Sequence, residues 1–125
     1  MDIVLENIGK RYRFEWIFRH LDFTFTSGGR YAILGPNGSG KSTLMKIICS
    51  HLTPSRGRIE FRQAGQTIDP DQLYRRISYA APYIELIEEF KLREAILFHQ
   101  KFKPFLQNLQ ADDLIEILGF EKSAN

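Results

Sequence analysis

One short stretch, Gly35-Pro36-Asn37-Gly38-Ser39-Gly40-Lys41-Ser42, constrains this 125-residue chain more than any other. It fits the pattern G-x-x-x-x-G-K-[ST] at every fixed position, and the flanking residues are those the pattern needs. Before it, Tyr31-Ala32-Ile33-Leu34 is a continuous apolar run, predicted as a strand buried on both faces of a parallel sheet. After it, Leu44, Ile47, Ile48 and His51 recur at i, i+3, i+4 and i+7. That spacing predicts one face of a helix, which Pro54 cannot continue. Strand, glycine-rich loop and helix therefore follow in order, and the fold class expected is α/β.

The chemistry behind the spacing is phosphate recognition. A polyphosphate carries several negative charges on closely spaced oxygens, so the backbone must bend around it with N–H groups pointing inward. Glycines allow that curvature and approach, and the helix beginning near Lys41 adds its own unpaired N–H groups and positive dipole end. On this reading Gly35, Pro36, Asn37, Gly38, Ser39 and Gly40 form the cradle. Lys41 reaches the β- and γ-phosphates as the catalytic cation, Ser42 places its hydroxyl on Mg²⁺, and Thr43 supports the α/β side.

No repeat or low-complexity tract divides the chain, which reads as one piece. Ile3-Val4-Leu5 is a short apolar run, and Leu21, Phe23 and Phe25 alternate with Asp22, Thr24 and Thr26 at the period of a half-buried strand. Thr26-Ser27-Gly28-Gly29 and Ser55-Arg56-Gly57 read as turns. Strands are predicted over Arg58–Arg62 and over Ile77–Ala80, the latter ended by Pro82. Helices are predicted from about Lys91 to Phe102 and from about Ala111 to Leu118. Asp112 and Asp113 stand at the positive end of the second, and Gly119 is its stop.

Beyond the loop, the sequence resembles the nucleotide-binding domain of ABC transporters along its whole length. Residues 35–44 look like that family's form of the phosphate loop. Glu6-Asn7-Ile8-Gly9-Lys10-Arg11-Tyr12 resembles the segment carrying the adenine-stacking aromatic, which makes Tyr12 the candidate, with Phe14 and Trp16 as substitutes. Pro54 to Ile59 resembles the turn into the strand after the phosphate-loop helix, and Leu92 to Ile96 the opening of the helical subdomain. The resemblance implies a P-loop NTPase core with an antiparallel β-subdomain and the start of a helical subdomain. It also implies ATP and Mg²⁺ as cofactors, a transmembrane permease as partner, and a second nucleotide-binding domain in a head-to-tail dimer.

Two departures stand against the family pattern. Pro82 falls where the resemblance expects a metal-binding, water-orienting glutamine, and no glutamine occurs between Gln72 and Gln100. A signature loop of the Leu-Ser-Gly-Gly-Gln type, an Asp-Glu pair after an apolar strand and a switch histidine have no counterpart. Ser27-Gly28-Gly29 is read as a plain turn, and the clustered Glu85, Glu88 and Glu89 as a solvated face. The expectation is an incomplete domain that binds ATP without hydrolysing it alone. A small P-loop kinase and a non-transport ABC ATPase stay open as alternatives; a GTPase is disfavoured because no Asn-Lys-x-Asp motif is present.

Composition narrows the class further. Seventeen Lys and Arg against fifteen Asp and Glu leave a formal charge of +2, too small for the electrostatic footprint of a nucleic-acid binder. Arg56, Arg58, Arg62, Arg75 and Arg76 are read as a solvated face. The single Cys49 excludes an internal disulfide and reads as a small core hydrophobe, with His51 and His99 expected as packed helix residues. No apolar run approaches the roughly 18 residues of a membrane helix, and Met1 to Glu6 does not resemble a signal peptide. The expected location is cytoplasmic, at the membrane through the permease.

Overall fold

The computed structural model describes residues 1–82 and 87–121. The chain forms two compact units, one over residues 1–79 and one from residue 80 onward.

The first unit is a four-stranded antiparallel sheet carrying one helix. Its strands are β1 (Asp2–Tyr12), β2 (Glu15–Phe25), β3 (Arg56–Gln63) and the short β4 (Gln66–Thr67), in the spatial order β2-β1-β3-β4. β1 and β2 form a hairpin whose register slips three times, between Leu5 and Ile8, Ile8 and Lys10, and Lys10 and Arg11. The first slip has local polar support: Asn7 and His20 both take positive φ, the Asn7 amide donates to Asp22 Oδ1 at 2.7 Å, and His20 Nδ1 meets Asn7 Oδ1 at 3.0 Å. Such bulges increase the twist of the pair and bend it.

Helix α1 (Lys41–Ile48) lies against the sheet and closes the core. Leu5, Ile8 and Ile47 are 2% exposed or less, and Ile3, Phe18, Leu21, Phe25, Leu44 and Ile59 pack around them. Burying each of those three side chains contributes about 1.5–3 kcal/mol. β3 comes so near β1 at Gly57 that a Cβ there would stand 2.3 Å from the carbonyl oxygens of Glu6 and Asn7. On the outer side, Glu60 lies between two arginines: Arg62 donates to it through Nε at 2.9 Å, and Arg58 Nε lies 3.5 Å away while bonding Glu6 at 2.7 Å. The solvated arginine face is thus partly an ionic ladder.

Three expectations change here. Tyr31 to Leu34 form no strand, and Leu34 is 88% exposed. A strand needs a neighbour for its backbone groups, and among the described residues none lies alongside. Instead Tyr31 ties the segment to the sheet through its side chain. Its ring meets Phe25 and Phe23 edge-on at 5.0 and 5.8 Å, and its hydroxyl accepts the Thr26 amide at 3.0 Å. An apolar hollow of about 200 Å³ remains between this segment and the sheet.

Ile77 to Ala80 likewise form no strand. The chain leaves a 3₁₀ turn over Pro70–Arg75, capped by Asp69, with the Ile77 amide still bonded to the Leu73 carbonyl at 3.0 Å. Third, α1 stops before Pro54. Ser50 takes φ +61°, its amide bonds Ile47 O at 3.0 Å and the His51 amide bonds Lys46 O at 2.8 Å. This is a Schellman closure, made with serine where glycine is usual. It carries His51 off the helix to an exposed position, edge-on to Tyr79 at 5.1 Å, so His51 is not the packed residue expected. Cys49 is buried, and burial raises its thiol above the ordinary value.

The second unit has α2 (Leu92–Phe102) and α3 (Ala111–Ile117), which pack on each other, joined by a short 3₁₀ turn over Leu106–Asn108. Each helix starts with a carboxylate reaching back: the Lys91 amide donates to Glu94 at 2.9 Å and the Gln110 amide to Asp113 at 2.7 Å. Arg93 pairs with Asp112 across the two helices. Gly119, at φ +70°, ends α3 as expected, the Phe120 amide reaching Ile115 O at 3.0 Å. His99 is exposed rather than packed, stacked beside Phe105 at 6.1 Å. Glu88 and Glu89 are exposed and Pro82 stands in an exposed turn; Glu85 lies outside the described residues.

Candidate functional site

The glycine-rich loop leads straight into α1, and its shape follows from its residues. The Ser39 amide bonds Pro36 O at 3.3 Å, closing a turn, and Gly38 and Gly40 take φ +81° and +90°, which side-chain-bearing residues rarely adopt. Gly40 also has a steric reason to be glycine. A Cβ there would stand 2.4 Å from Ile17 Cγ2 and 3.1 Å from the Phe18 ring.

The first helical bond of α1 runs from the Leu44 amide to Gly40 O at 2.8 Å, so the amides of Lys41, Ser42 and Thr43 precede it. No side chain caps them, and no acidic residue lies in the first turn. The helix therefore presents an unneutralised positive end to the loop. Lys41 folds back over it, Nζ donating to Gly35 O and to Pro36 O, each at 2.7 Å.

Together these residues border a cleft of about 280 Å³, lined by Asn37, Gly38, Gly40, Lys41, Ser42, Thr43 and Ile17. Gly35, Pro36 and Ser39 shape the loop without lining the cleft. Ile17, from β2, was not anticipated. It is one of several apolar residues in a strand, and no periodicity marks the one that will meet a loop.

Tyr12 ends β1 opposite Glu15 and is 51% exposed, so it is not a core residue. It does not line the cleft. Lys10 pairs with Phe18 across the hairpin, and Phe18 is the ring beside Gly40; cross-strand partners share a face. Lys10 Nζ lies 5.4 Å from the Tyr12 ring centroid. Lys10 thus touches the Tyr12 ring and is the cross-strand partner of Phe18, whose ring lies beside Gly40. Trp16 packs over Gly9, with the guanidinium groups of Arg11 and Arg19 at 5.7 and 6.0 Å from its ring, and Phe14, at the turn, is 96% exposed.

The cradle suits a polyphosphate: a cation, open helix amides and a loop whose curvature would be lost with a Cβ at Gly40. For a divalent metal, the side-chain oxygens that the first turn brings to the cleft are the Ser42 and Thr43 hydroxyls. Among the described residues no group of three or more His, Cys, Asp or Glu could hold an ion. That set fits Mg²⁺, which binds through few protein ligands when phosphates complete its shell.

Known proteins resemble this chain in sequence and in fold. The chain is 35% identical over 102 residues to the cytochrome c biogenesis ATP-binding export protein CcmA of Brucella abortus, covering 82% of this chain and 46% of that protein. It is 43% identical over 63 residues to the zinc import ATP-binding protein ZnuC of Rhizobium johnstonii, covering 50% of this chain and 20% of that one. The chain thus spans less than half the length of these curated relatives. Among solved structures, an ATP-binding subunit of an ABC transporter superposes with a TM-score of 0.77 at 23% identity, over 99% of this chain and 53% of that one. A dimeric ATP-binding cassette in a post-hydrolysis state, bound to ADP and Pi, superposes with a TM-score of 0.75 at 21% identity, over 98% and 60%. These likenesses establish the cassette fold. The ABC transporter sequence profile matches residues 18–124, and with the loop, cleft and fold in agreement, the chain belongs to the ABC transporter family.

Proposed function

We propose that this chain is the ATP-binding part of the energising subunit of an ABC transporter. The observation carrying this reading is the uncapped start of α1 beneath a glycine loop, with Lys41 Nζ 2.7 Å from two loop carbonyls. An ammonium held by neutral carbonyls can exchange them for phosphate oxygens, whose charge makes the stronger hydrogen bond. Gly35, Pro36, Asn37, Gly38, Ser39 and Gly40 surround the phosphates, Lys41 neutralises the β and γ groups, and Thr43 holds the α/β side. Ser42 would hold Mg²⁺, which when bound would supply further neutralisation of phosphate charge. Tyr12 stacks on adenine from the hairpin.

In the whole protein, ATP binding and hydrolysis drive transport through a transmembrane permease at the cytoplasmic side of the membrane. A second nucleotide-binding domain closes on the first, head to tail. The relatives' names, which specify ATP-binding proteins of export and import systems, and the dimeric cassette support this. Among the described residues no helix is long and apolar enough to cross a membrane. The 125-residue chain alone binds ATP without turning it over: the residues lining the cleft, Ile17, Asn37, Gly38, Gly40, Lys41, Ser42 and Thr43, include no carboxylate or imidazole to act as general base.

Titration with a fluorescent ATP analogue and Mg²⁺ tests the reading. Lys41→Ala is expected to weaken binding at least about tenfold, the worth of a charged hydrogen bond. Equal affinity of the two proteins would refute the assignment.

A further inference from the structure

Tyr12 sits at the exposed end of a strand, where an aromatic side chain would sample several rotamers, yet its surroundings are built to hold it. Lys10, two residues earlier, places its ammonium 5.4 Å from the ring centroid, within the range of a cation–π contact. That ammonium is itself fixed, donating to the Thr53 carbonyl at 2.8 Å. Thr53 belongs to the segment that follows the phosphate-loop helix.

The same segment grips the strand at two further points. The Ser55 amide donates to Gly9 O at 2.8 Å, and the Arg11 amide donates to Ser55 Oγ at 3.2 Å. The residues just before Tyr12 are therefore tied to the chain leaving α1, whose N-terminus carries Lys41 and Ser42. A continuous polar and helical path joins the candidate base site to the candidate phosphate site.

We infer that Lys10 is a positioning residue for the nucleotide base: it holds the Tyr12 ring from one side, anchored on Thr53, and leaves the other side for the purine. This rests on the reading of Tyr12 as the stacking partner. The physical gain is preorganisation. A ring already held loses less rotamer freedom when the base arrives, so part of the ordering cost of binding is met before the ligand appears. A purely structural Lys10 would affect every ligand of the loop alike. A base-positioning Lys10 affects only ligands that have a base.

Calorimetric titration of the full chain with Mg·ATP and, separately, with inorganic triphosphate and Mg²⁺ distinguishes these cases. It is run on the unaltered protein, Lys10→Met, Lys10→Arg, Tyr12→Ala and the double variant Lys10→Met/Tyr12→Ala. Lys10→Met is expected to weaken ATP about three- to fivefold, the size of an exposed cation–π contact, and to leave triphosphate unchanged. Lys10→Arg should retain ATP affinity, and Lys10→Met should cost nothing further once Tyr12 is alanine. An ATP affinity unmoved in Lys10→Met, an equal loss on both ligands, or an undiminished loss in the Tyr12→Ala background overturns the inference. If Tyr12→Ala alone leaves ATP binding unchanged, the stacking role fails and the inference with it. Absence of triphosphate binding by the unaltered protein overturns the phosphate-loop reading itself.

Discussion

Gly40 and Ile17 are in a contact that leaves no room for a methyl group: a Cβ on Gly40 would lie 2.4 Å from Ile17 Cγ2, at a residue whose φ is +90°. The loop's shape thus depends on β2 as well as on its own glycines. Gly40→Ala is expected to lower stability by more than about 2 kcal/mol, combining left-handed strain with overpacking. Adding Ile17→Ala should recover the overpacking part and not the strain. Urea unfolding of the single and double variants measures both, and full recovery in the double variant would show that φ is not restricting this position.

Ser50 closes α1 at φ +61° in a role glycine fills with less strain. Ser50→Gly is therefore expected to stabilise the protein, by about 1 kcal/mol, because the left-handed penalty on a β-carbon is removed and both closing bonds are backbone ones. A higher urea midpoint at unchanged slope is the expected outcome.

Gly57 lies where β3 crosses the slipped part of β1, and the atoms a Cβ would meet are backbone carbonyl oxygens, which cannot rotate aside. Gly57→Ala should cost more than about 2 kcal/mol and break the strand pairing around Glu6 and Gly9. Amide hydrogen exchange should show faster exchange in β1 and β3; protection equal to that of the parent protein would contradict the close approach.

Glu60 supplies a pH dependence with a definite sign. The hydrogen bond from Arg62, opposed in part by burial and aided by the charges of Arg62 and Arg58, lowers its carboxyl below the ordinary 4.5. A depressed folded-state value contributes stability above the unfolded carboxylate's value and loses it as pH falls through the folded one. Glu60→Gln should flatten the acid side of the stability profile below about pH 4.5, and should matter less in high salt, since the pair is near the surface.

Periodicity and motif chemistry located the phosphate loop, the helix behind it, the strand around Leu21 to Phe25, and both helices of the second unit. They failed where a residue's fate depends on a neighbour rather than on its own character. Tyr31 to Leu34 is as apolar as a central strand, but hydrophobicity specifies burial and not a ladder partner, and Tyr31 found its place on the sheet through Phe25 and Thr26. The end of α1 was set by a backbone closure at Ser50, which carries no glycine signal, so the spacing that included His51 ran one turn too far. Ile17 was illegible for a related reason: three register slips in the hairpin break the simple alternation of faces.

The central claim is that one loop and one helix end hold the phosphates of ATP. Its most direct test is the change in backbone amide resonances of the isotope-labelled chain on adding Mg·ATP. The largest shifts are expected at Asn37 to Thr43, with a smaller response at Lys10 to Tyr12. Shifts centred elsewhere, or none at Gly38 to Ser42 under saturating nucleotide, would contradict it.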